Sequence, residues 1–545
     1  MLLKKVTYLT LLLSVASVGC AQDSLLLRNY EFVKHNDAWL TSNNGAGLTH
    51  FNHQNIAEAE VSLSYGTGGL TTFGGASHVL QADASVESFY RISQRTVVFG
   101  AISYDNWTGR NMTGSVFMKD RLPFDIVEQT EENSSKKHRD TYQLSGGVGV
   151  DLYKGYSIGA RIDYKAANYA KYKDLRHSNK LMNLQLSVGA SAPVLDWLTV
   201  GGNYLYHRQT ESVTYHTFGK TDRVYLSLID YGAFMGRTEQ YGSTGFTDNG
   251  REMPLVEDQN GGSMQLELRP FQHTEGRLKT LTVYGEITLT HGTGYYGRKS
   301  PYTITYTNHQ RDILTLSGRV SLAASTSKQF LDISYSNEKL KNFAENYREM
   351  KNEVGSYYYQ YSDPTETGDK HWQNINIDYT LHLGIRGEQP AWTIKAGYRW
   401  QKRNIDAYLY PYYRRQLLNT HEVAASIRHA IVTQRGVWSA MLSGAFQKGT
   451  GEVFTDGTFS TPSAKQNAPD TMNAFLWQDY HLLTSPQFSI GVELRYNFHF
   501  PGTRLLTHIR GNLQYRQANS LTNDLCPTDL GNTYTTTTLA LGCTF

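Results

Sequence analysis

At 545 residues the chain is long enough for several domains, yet 52 Lys and Arg against 49 Asp and Glu leave a net charge of only +3, which gives no pull toward nucleic acid. Three cysteines exclude a disulfide scaffold, and a mean hydropathy of -0.47 excludes a bundle of membrane helices. The abundance of Tyr (38) and Gly (48) beside scarce Pro (13) suits long strands with aromatic belts.

The chain opens MLLKKVTYLTLLLSVASVGCAQDS, in which Lys4 and Lys5 precede an apolar run from Val6 to Val18 and the small residues Gly19, Cys20 and Ala21. That pattern predicts a signal peptide over residues 1–21 and export of the remainder. Two cleavage readings compete. Cys20 sits in a weak lipoprotein box, but Ser17 replaces the aliphatic residue such a box needs, so cleavage after Ala21 is favoured and Cys20 leaves with the signal. Residues 22–56 contain NDAWLTSNNGAGLTHFNHQ, polar and Gly-rich with two buriable aromatics, Trp39 and Phe51. This segment is expected to plug a lumen enclosed by the rest of the chain or to pack beneath it in the periplasm. Its Asn-Gly-Ala-Gly-Leu stretch loosely resembles that of hydrophobic-solute channels, in which an N-terminal segment occupies the lumen.

From residue 57 to 545 one unit recurs: about ten alternating residues, a tight turn, another such segment and a longer polar loop. Tyr142, Leu144, Val148 and Val150 oppose Gln143, Ser145, Gly147 and Gly149; after the turn YKGY, Ile158, Ile162 and Tyr164 oppose Ser157, Asp163 and Lys165. Charge falls on one face. Soluble sandwiches use strands of about five or six residues, whereas a tilted membrane strand needs roughly nine to eleven with Trp and Tyr at its ends, so the longer segments predict an all-β transmembrane antiparallel up-and-down barrel. Short connections (93–96, PVLD, EQP) alternate with long ones (108–137, 210–260, 340–370, 449–485), which places the short turns in the periplasm and the long loops outside. An even count follows from that alternation. The parse gives eighteen strands, with sixteen as the alternative, starting near 57, 79, 96, 139, 156, 180, 196, 262, 279, 312, 328, 373, 391, 417, 436, 487, 504 and 533. FLWQDYHLL (475–483) is assigned to an outer loop because one more strand would break parity. TYTTTTLALGCTF is the expected closing strand, with Leu539 and Leu541 on its lipid face and Phe545 at the periplasmic rim.

The inward face is the surface that alternation exposes for function. Arg161, Lys165, Arg319, Lys395, Arg399, Arg495 and Arg510 are expected to line the lumen with Asp163, Glu286, Asp332 and Glu493. Mixed rings of charge either tune a polar channel or neutralise one another in a filled lumen. Outside, YLYPYYRR offers Tyr408, Tyr410, Tyr412, Tyr413, Arg414 and Arg415 as a candidate partner or glycan surface.

Motifs of enzymes do not hold up. GYSIG (155–159) has the hydrolase elbow spacing, but Ser157 begins a strand with no helix after it, and GTGYYG (292–297) runs into strand-like residues rather than a phosphate-binding helix. No zinc-type His or Cys spacing occurs, and His499 and His508, near each other across Pro501-Gly502, read as solvated. Cys526 falls in an outer loop and Cys543 near the periplasmic end of the last strand, beyond disulfide reach. Neither metal nor cofactor is expected.

The alternating strands and Phe545 resemble bacterial outer-membrane barrels. The AQDS start, Tyr-rich loops and overall layout resemble an uncharacterised barrel family of Bacteroidota. That resemblance implies residence in the outer-membrane lipid and an accessory uptake role beside a surface lipoprotein or TonB-dependent receptor. The sequence reading is therefore a non-enzymatic channel or accessory component for a small polar solute; the alternatives are a closed barrel anchoring ligand-binding loops and, third, an outer-membrane enzyme.

Overall fold

The computed structural model describes residues 27–118, 124–128, 133–219, 222–242, 246–247, 253–272, 278–298, 303–499, 505–519 and 531–545. The expected signal peptide, Cys20 and Cys526 lie outside the described residues.

Eighteen long strands follow one another around a barrel. The first six are β1 (Ile56–Gly68), β2 (His78–Arg91), β3 (Thr96–Met112), β4 (Ser135–Tyr153), β5 (Tyr156–Lys171) and β6 (Arg176–Leu195). Next come β7 (Leu198–His216), β8 (Met253–Gln272), β9 (Leu278–Gly297), β10 (Thr305–Ala324), β11 (Ser327–Lys351) and β12 (Tyr357–Leu383). The circle is completed by β13 (Trp392–Leu409), β14 (Tyr412–Val432), β15 (Gly436–Gly451), β16 (Gln487–His499), β17 (Leu506–Ala518) and β18 (Thr533–Thr544). Each pairs antiparallel with its predecessor, and β18 pairs with β1 from Glu58↔Thr544 to Gly68↔Tyr534. Ala57 and Phe545 exchange both backbone hydrogen bonds, at 2.9 and 3.0 Å, so the seam is sealed to its edge.

Period-two alternation sets the two faces. Val61 and Leu63 stand in register with Leu541 and Leu539 and are exposed on the outside, while Glu58, Glu60, Thr538 and Ala540 share the inner face. A continuous apolar band of this size has no place in water and is what a bilayer solvates, once every backbone group is paired around the circle. Tyr153, Tyr156, Trp197, Trp392 and Trp438 stand outward at one end, where the turns 92–95, 154–155, 196–197, 325–326 and 433–435 are short. One of those turns shows how local chemistry sets the hairpin: Lys154 and Gly155 both take positive φ (47° and 87°), the twist that a two-residue connection between strands requires. Among the described residues no helix is long and apolar enough to cross a membrane.

One expected loop is something else. The stretch 340–370 continues β11 and β12 as a ribbon turning at Asn352–Ser356, so the tyrosines 357–361 are on a strand rather than in a loop. Residues Asn346–Lys351 and Tyr357–Ser362 form backbone pairs only with each other, and Tyr361, whose hydroxyl accepts from Thr305 N at 2.8 Å, and Tyr347, which packs on Tyr306, tie the ribbon to β10 by side chains.

The barrel's interior is occupied from both ends. On the side of the short turns, α1 (Tyr30–His35) and two 3-10 turns (Ala38–Thr41, Gly45–His50) form a plug. An Asn or Asp caps each of the three: Asn29 accepts from Phe32 N, Asp37 from Trp39 N and Asn44 from Ala46 N. Tyr30, Val33, Leu40, Leu48 and Phe51 pack against Ile56, Phe89, Val97 and Phe99 of the wall, and Trp39 and Phe51 are fully buried. On the opposite side, three outer connections contribute Asp125–Glu128, Leu226–Asp230, Met235–Gln240 and Asp470–Thr471 to a small four-stranded sheet. FLWQDYHLL belongs to α2 (Asn473–Thr484), in one of those connections. Phe117, Phe124 and Ile229 of this outer cap bury themselves against Val213, Tyr215, Leu255 and Tyr296, which point inward from the wall.

Candidate functional site in the barrel bore

The plug lies in a trough of glycines. Gly147 and Gly149 of β4, Gly159 of β5, Gly189 of β6 and Gly201 of β7 all face inward, where SGGVGV, YSIGA, SVGAS and TVGGN place them. A Cβ on Gly201 would come within 2.7 Å of the Trp39 ring, and one on Gly189 within 2.5 Å of Asn44 Oδ1. From the plug's side, a Cβ on Gly45 would meet the Ala160 backbone at 2.6 Å. Absent side chains therefore bring two backbones into contact.

Polar contacts surround that trough. Asn44 Nδ2 donates to Ala190 O and Gln265 Oε1, each at 3.0 Å, Gln185 to Asn43 Oδ1 at 3.2 Å, and Thr49 to Ser157 Oγ at 3.1 Å. Ser157, the serine of the hydrolase-like spacing, thus holds the plug and begins β5. Two ion pairs, Lys34–Glu87 (2.7 Å) and Glu31–Arg428 (3.1 Å), and two histidine–carboxylate contacts, His35–Asp332 (3.4 Å) and His53–Glu388 (3.1 Å), tie the plug to the barrel.

Several of the lumen-lining candidates meet here. Arg161 binds Asp163 (2.9 Å) and donates to Ser42 O; Glu286 accepts from Gln265 (2.9 Å) and Tyr284 (3.0 Å) and lies 3.4 Å from Ser42 Oγ. Arg319 pairs with Asp332 at 2.5 Å and donates to His35 O at 2.9 Å. Lys395 lines a cavity of about 60 Å³ with Glu31 and Arg428. Lys165 shares the face of Arg161 and Asp163 on β5, with its neighbours Gln143 and Asn183 in register. Arg399 pairs with Glu422 at 2.9 Å and stays largely exposed, away from the plug. Arg495, Arg510 and Glu493 belong to a continuous run of charges. It passes from Glu31 through Arg428, Glu493, Arg510 and Glu60 to His508, linking the plug to the closing seam. Arg495 binds Glu58 at 2.9 Å and reaches His508 Nδ1. His508 lies opposite Asn497 rather than His499, buried in this run instead of solvated.

The sequence reading missed Glu31, Glu58, Glu60, Glu87 and Arg428. The alternation AEAEV held Glu58 and Glu60 in plain view; the pairing across strands did not show until the barrel was closed. Burial pushes the Glu31 carboxyl up, but Arg428, Arg495 and Lys395 outweigh it and hold its pKa below the usual range. Its side chain is 58% exposed inside the bore, where water reaches it although barrel atoms surround it.

The YLYPYYRR hairpin divides in two. Arg414 is buried, with Nε 2.7 Å and Nη2 2.8 Å from Asp456, and Nη1 donating to Asn473 at 2.9 Å and to Ala233 O. It is therefore committed to the outer cap and unavailable as a surface residue. Tyr408 is buried too, its hydroxyl donating to Asp369 at 3.3 Å. Tyr410 is exposed and, with Tyr413, packs around exposed Phe459 at 5.5 and 4.9 Å; Arg415 pairs with Asp406, and Tyr412 pairs with Leu409 and Thr458.

A closed eighteen-stranded barrel with a lipid-facing apolar band, an aromatic belt and a filled bore is an outer-membrane β-barrel protein. The chain belongs to the family described as "Family of unknown function (DUF6850)", whose model matches residues 45–545. No curated protein matches it in sequence. Among solved structures it is similar to the outer membrane transporter YddB from Escherichia coli, at 7% identity and a TM-score of 0.40, covering 91% of this chain and 81% of that one. It is also similar to the RagAB peptide importer in the "closed-closed" state (8% identity, TM-score 0.40, 91% and 87% covered) and to the copper transporter OprC (8%, 0.34, 90% and 80%).

Proposed function

We propose that the protein is a gated conduit for a small polar solute across the outer membrane, closed at rest by the plug and the outer cap. The observation that carries this reading is how the plug is held. Residues 27–55 join the barrel covalently at Ile56, and beside the apolar cluster around Phe51 and Phe89 their docking rests on hydrogen bonds and ion pairs that water can replace. A segment built only as permanent filling gains more from a continuous apolar seam, because buried polar contacts cost desolvation. The bore's paired charges of both signs suit a polar solute of little net charge.

Single-channel conductance in planar bilayers tests the reading, using the full chain, a chain lacking residues 24–55, and that deletion combined with Arg414→Ala to loosen the outer cap. Low conductance from the full chain and steady conductance from either altered chain supports a conduit. Silence from all three, with each folded, overturns it.

The second reading is a closed barrel that presents surfaces to a lipoprotein, a TonB-dependent receptor or a glycan. The ribbon Asn346–Ser362 favours it, with unpaired edges and Tyr357 and Val354 exposed, together with the Tyr410–Tyr413–Phe459 group. A variant lacking only that ribbon separates the two: the second reading expects it to lose partners in a pull-down, and the first expects its conductance to be unchanged.

A further inference from the structure

Three side chains from two separate parts of the molecule converge between plug and wall. Asp37 precedes the first 3-10 turn, His50 closes the second, and Glu267 points inward from β8; one donor atom of each lies within 4.8 Å of the others. Glu267 is buried. Asp37 Oδ1 is occupied in capping Trp39 N at 2.9 Å, while its Oδ2 faces His50 Nδ1 at 4.0 Å, too far for a hydrogen bond. Arg269 Nε lies 2.7 Å from Glu267 Oε1 without an aligned hydrogen bond, so that buried oxygen has no hydrogen-bond partner among the described residues. Two carboxylates are thus brought together beside one guanidinium.

A second observation points to a missing ligand. The indole N–H of Trp39, wholly buried, is directed at the Glu267 carboxylate without making an aligned hydrogen bond to it. Its ring stacks on His50 with centroids 4.9 Å apart, and it lies beside Glu267. Room exists, since a cavity of about 110 Å³ lined by Asp37, Glu267, Arg269 and Tyr284 adjoins the cluster.

We propose that Asp37, His50 and Glu267 bind one divalent transition-metal ion of the zinc class, with water in the remaining position, and that the ion pins the plug to the wall. Ligands about 2.0–2.2 Å from a tetrahedral ion stand roughly 3.4 Å apart, so the three donor atoms need draw in by only about 1 Å. One imidazole with two carboxylates suits zinc, or iron and manganese in the same oxidation state; calcium and magnesium favour oxygen alone. The sequence spacing hides the site because 13 residues separate Asp37 from His50 and Glu267 lies in a distant strand.

The test uses chelator-treated, full-length protein in detergent, shown to be folded by its faster migration on unheated gels. Equilibrium dialysis against Zn²⁺ with metal counting is expected to find one ion per chain. His50→Ala and Asp37→Asn should each weaken uptake at least tenfold, while His53→Ala, which alters a plug histidine paired with Glu388, should leave it unchanged. Co²⁺ loaded in place of Zn²⁺ should give the visible absorption of a four- or five-coordinate site, lost in His50→Ala. Bound Zn²⁺ should also slow tryptic cleavage after Lys34 severalfold. Absence of stoichiometric uptake by the wild type, equal uptake by folded His50→Ala and wild type, or displacement of Zn²⁺ by equimolar Ca²⁺ overturns the proposal. None of these outcomes depends on conductance, so the site stands or falls apart from the conduit.

Discussion

His508 Nε2 on β17 lies 3.0 Å from a carboxylate oxygen of Glu60 on β1, reaching over Gly542 of the strand between them. His508 and Glu60 are both register partners of Gly542, and a Cβ there would come within 2.6 Å of the imidazole Nε2. The closing seam is thereby cross-linked over its smallest residue. His508→Ala removes a buried partner from Glu60 and Arg495 and is expected to cost about 1–3 kcal/mol. Gly542→Val should lower the stability in the same direction by evicting the ring. The thermal midpoint of the folded band on unheated gels reads both, and wild-type midpoints in the two variants would refute the cross-link.

Docking of the plug should weaken in acid. The Glu31 carboxyl is held below its ordinary pKa of 4.5 by Arg428 on β14, Arg495 on β16 and Lys395 on β13. A group depressed on docking binds protons less readily when docked, so its contribution is fully present above about pH 4.5 and is lost as pH falls through the lower, docked value. Cysteine labelling of a reporter on α1, divided at each pH by the rate for a small free thiol because only the thiolate reacts, should therefore speed up below about pH 4.5 and stay constant from 6 to 8. Arg428→Ala should raise labelling at neutral pH, with a cost of about 1–2 kcal/mol, because buried Glu493 also loses a partner. Labelling independent of both pH and Arg428 would show that Glu31 does not hold the plug.

Arg414 is expected to control the outer cap without touching the plug. Its fork is bidentate to Asp456 and its remaining donors reach Asn473 and Ala233 O, which joins β14 to α2 and to the turn of the small sheet. Arg414→Ala should cost about 1–3 kcal/mol locally, at the lower end because Asp456 is half exposed and water can solvate it afterwards. Lys cannot reproduce the fork, so Arg414→Lys should fail to rescue. Limited proteolysis within 452–472 measures the effect; equal cleavage rates in the wild type and Arg414→Ala would remove this role.

Much of the barrel was legible because period-two alternation and short turns such as Lys154–Gly155 are local signals. Strand starts expected at 57, 79, 96 and 156 are observed at 56, 78, 96 and 156. The start of β12 departs from this agreement, expected at 373 and found at Tyr357. Its outer half leaves the membrane, so both faces are polar and the alternation that marks a lipid-facing strand disappears. FLWQDYHLL hid its helix for a related reason, since α2 is packed on more than one side and carries no clean apolar stripe. In the bore, alternation was enough to assign Arg161, Glu286 and Arg319 to the inner face. It said nothing about Arg428 meeting Glu31, because that pair joins positions 397 residues apart and needs both the closed barrel and the folded plug.

The glycine trough yields the sharpest test of how the plug is seated. Gly159 faces Gly45 of the plug so closely that a Cβ would strike the Gly45 backbone, and backbone cannot swing aside as a flexible side chain does. Gly159→Val should therefore push the plug off the wall while leaving the β5 ladder intact, since a strand accepts valine readily. A displaced plug is expected to raise N-terminal labelling at least tenfold and, if the conduit reading holds, to raise conductance as the deletion does. Gly285→Val supplies the control: on β9 a Cβ there meets nothing within 4 Å and points to the lipid side. Equal labelling of the two variants would mean that the plug yields around the added side chain, and close approach at Gly159 would then have no part in seating it.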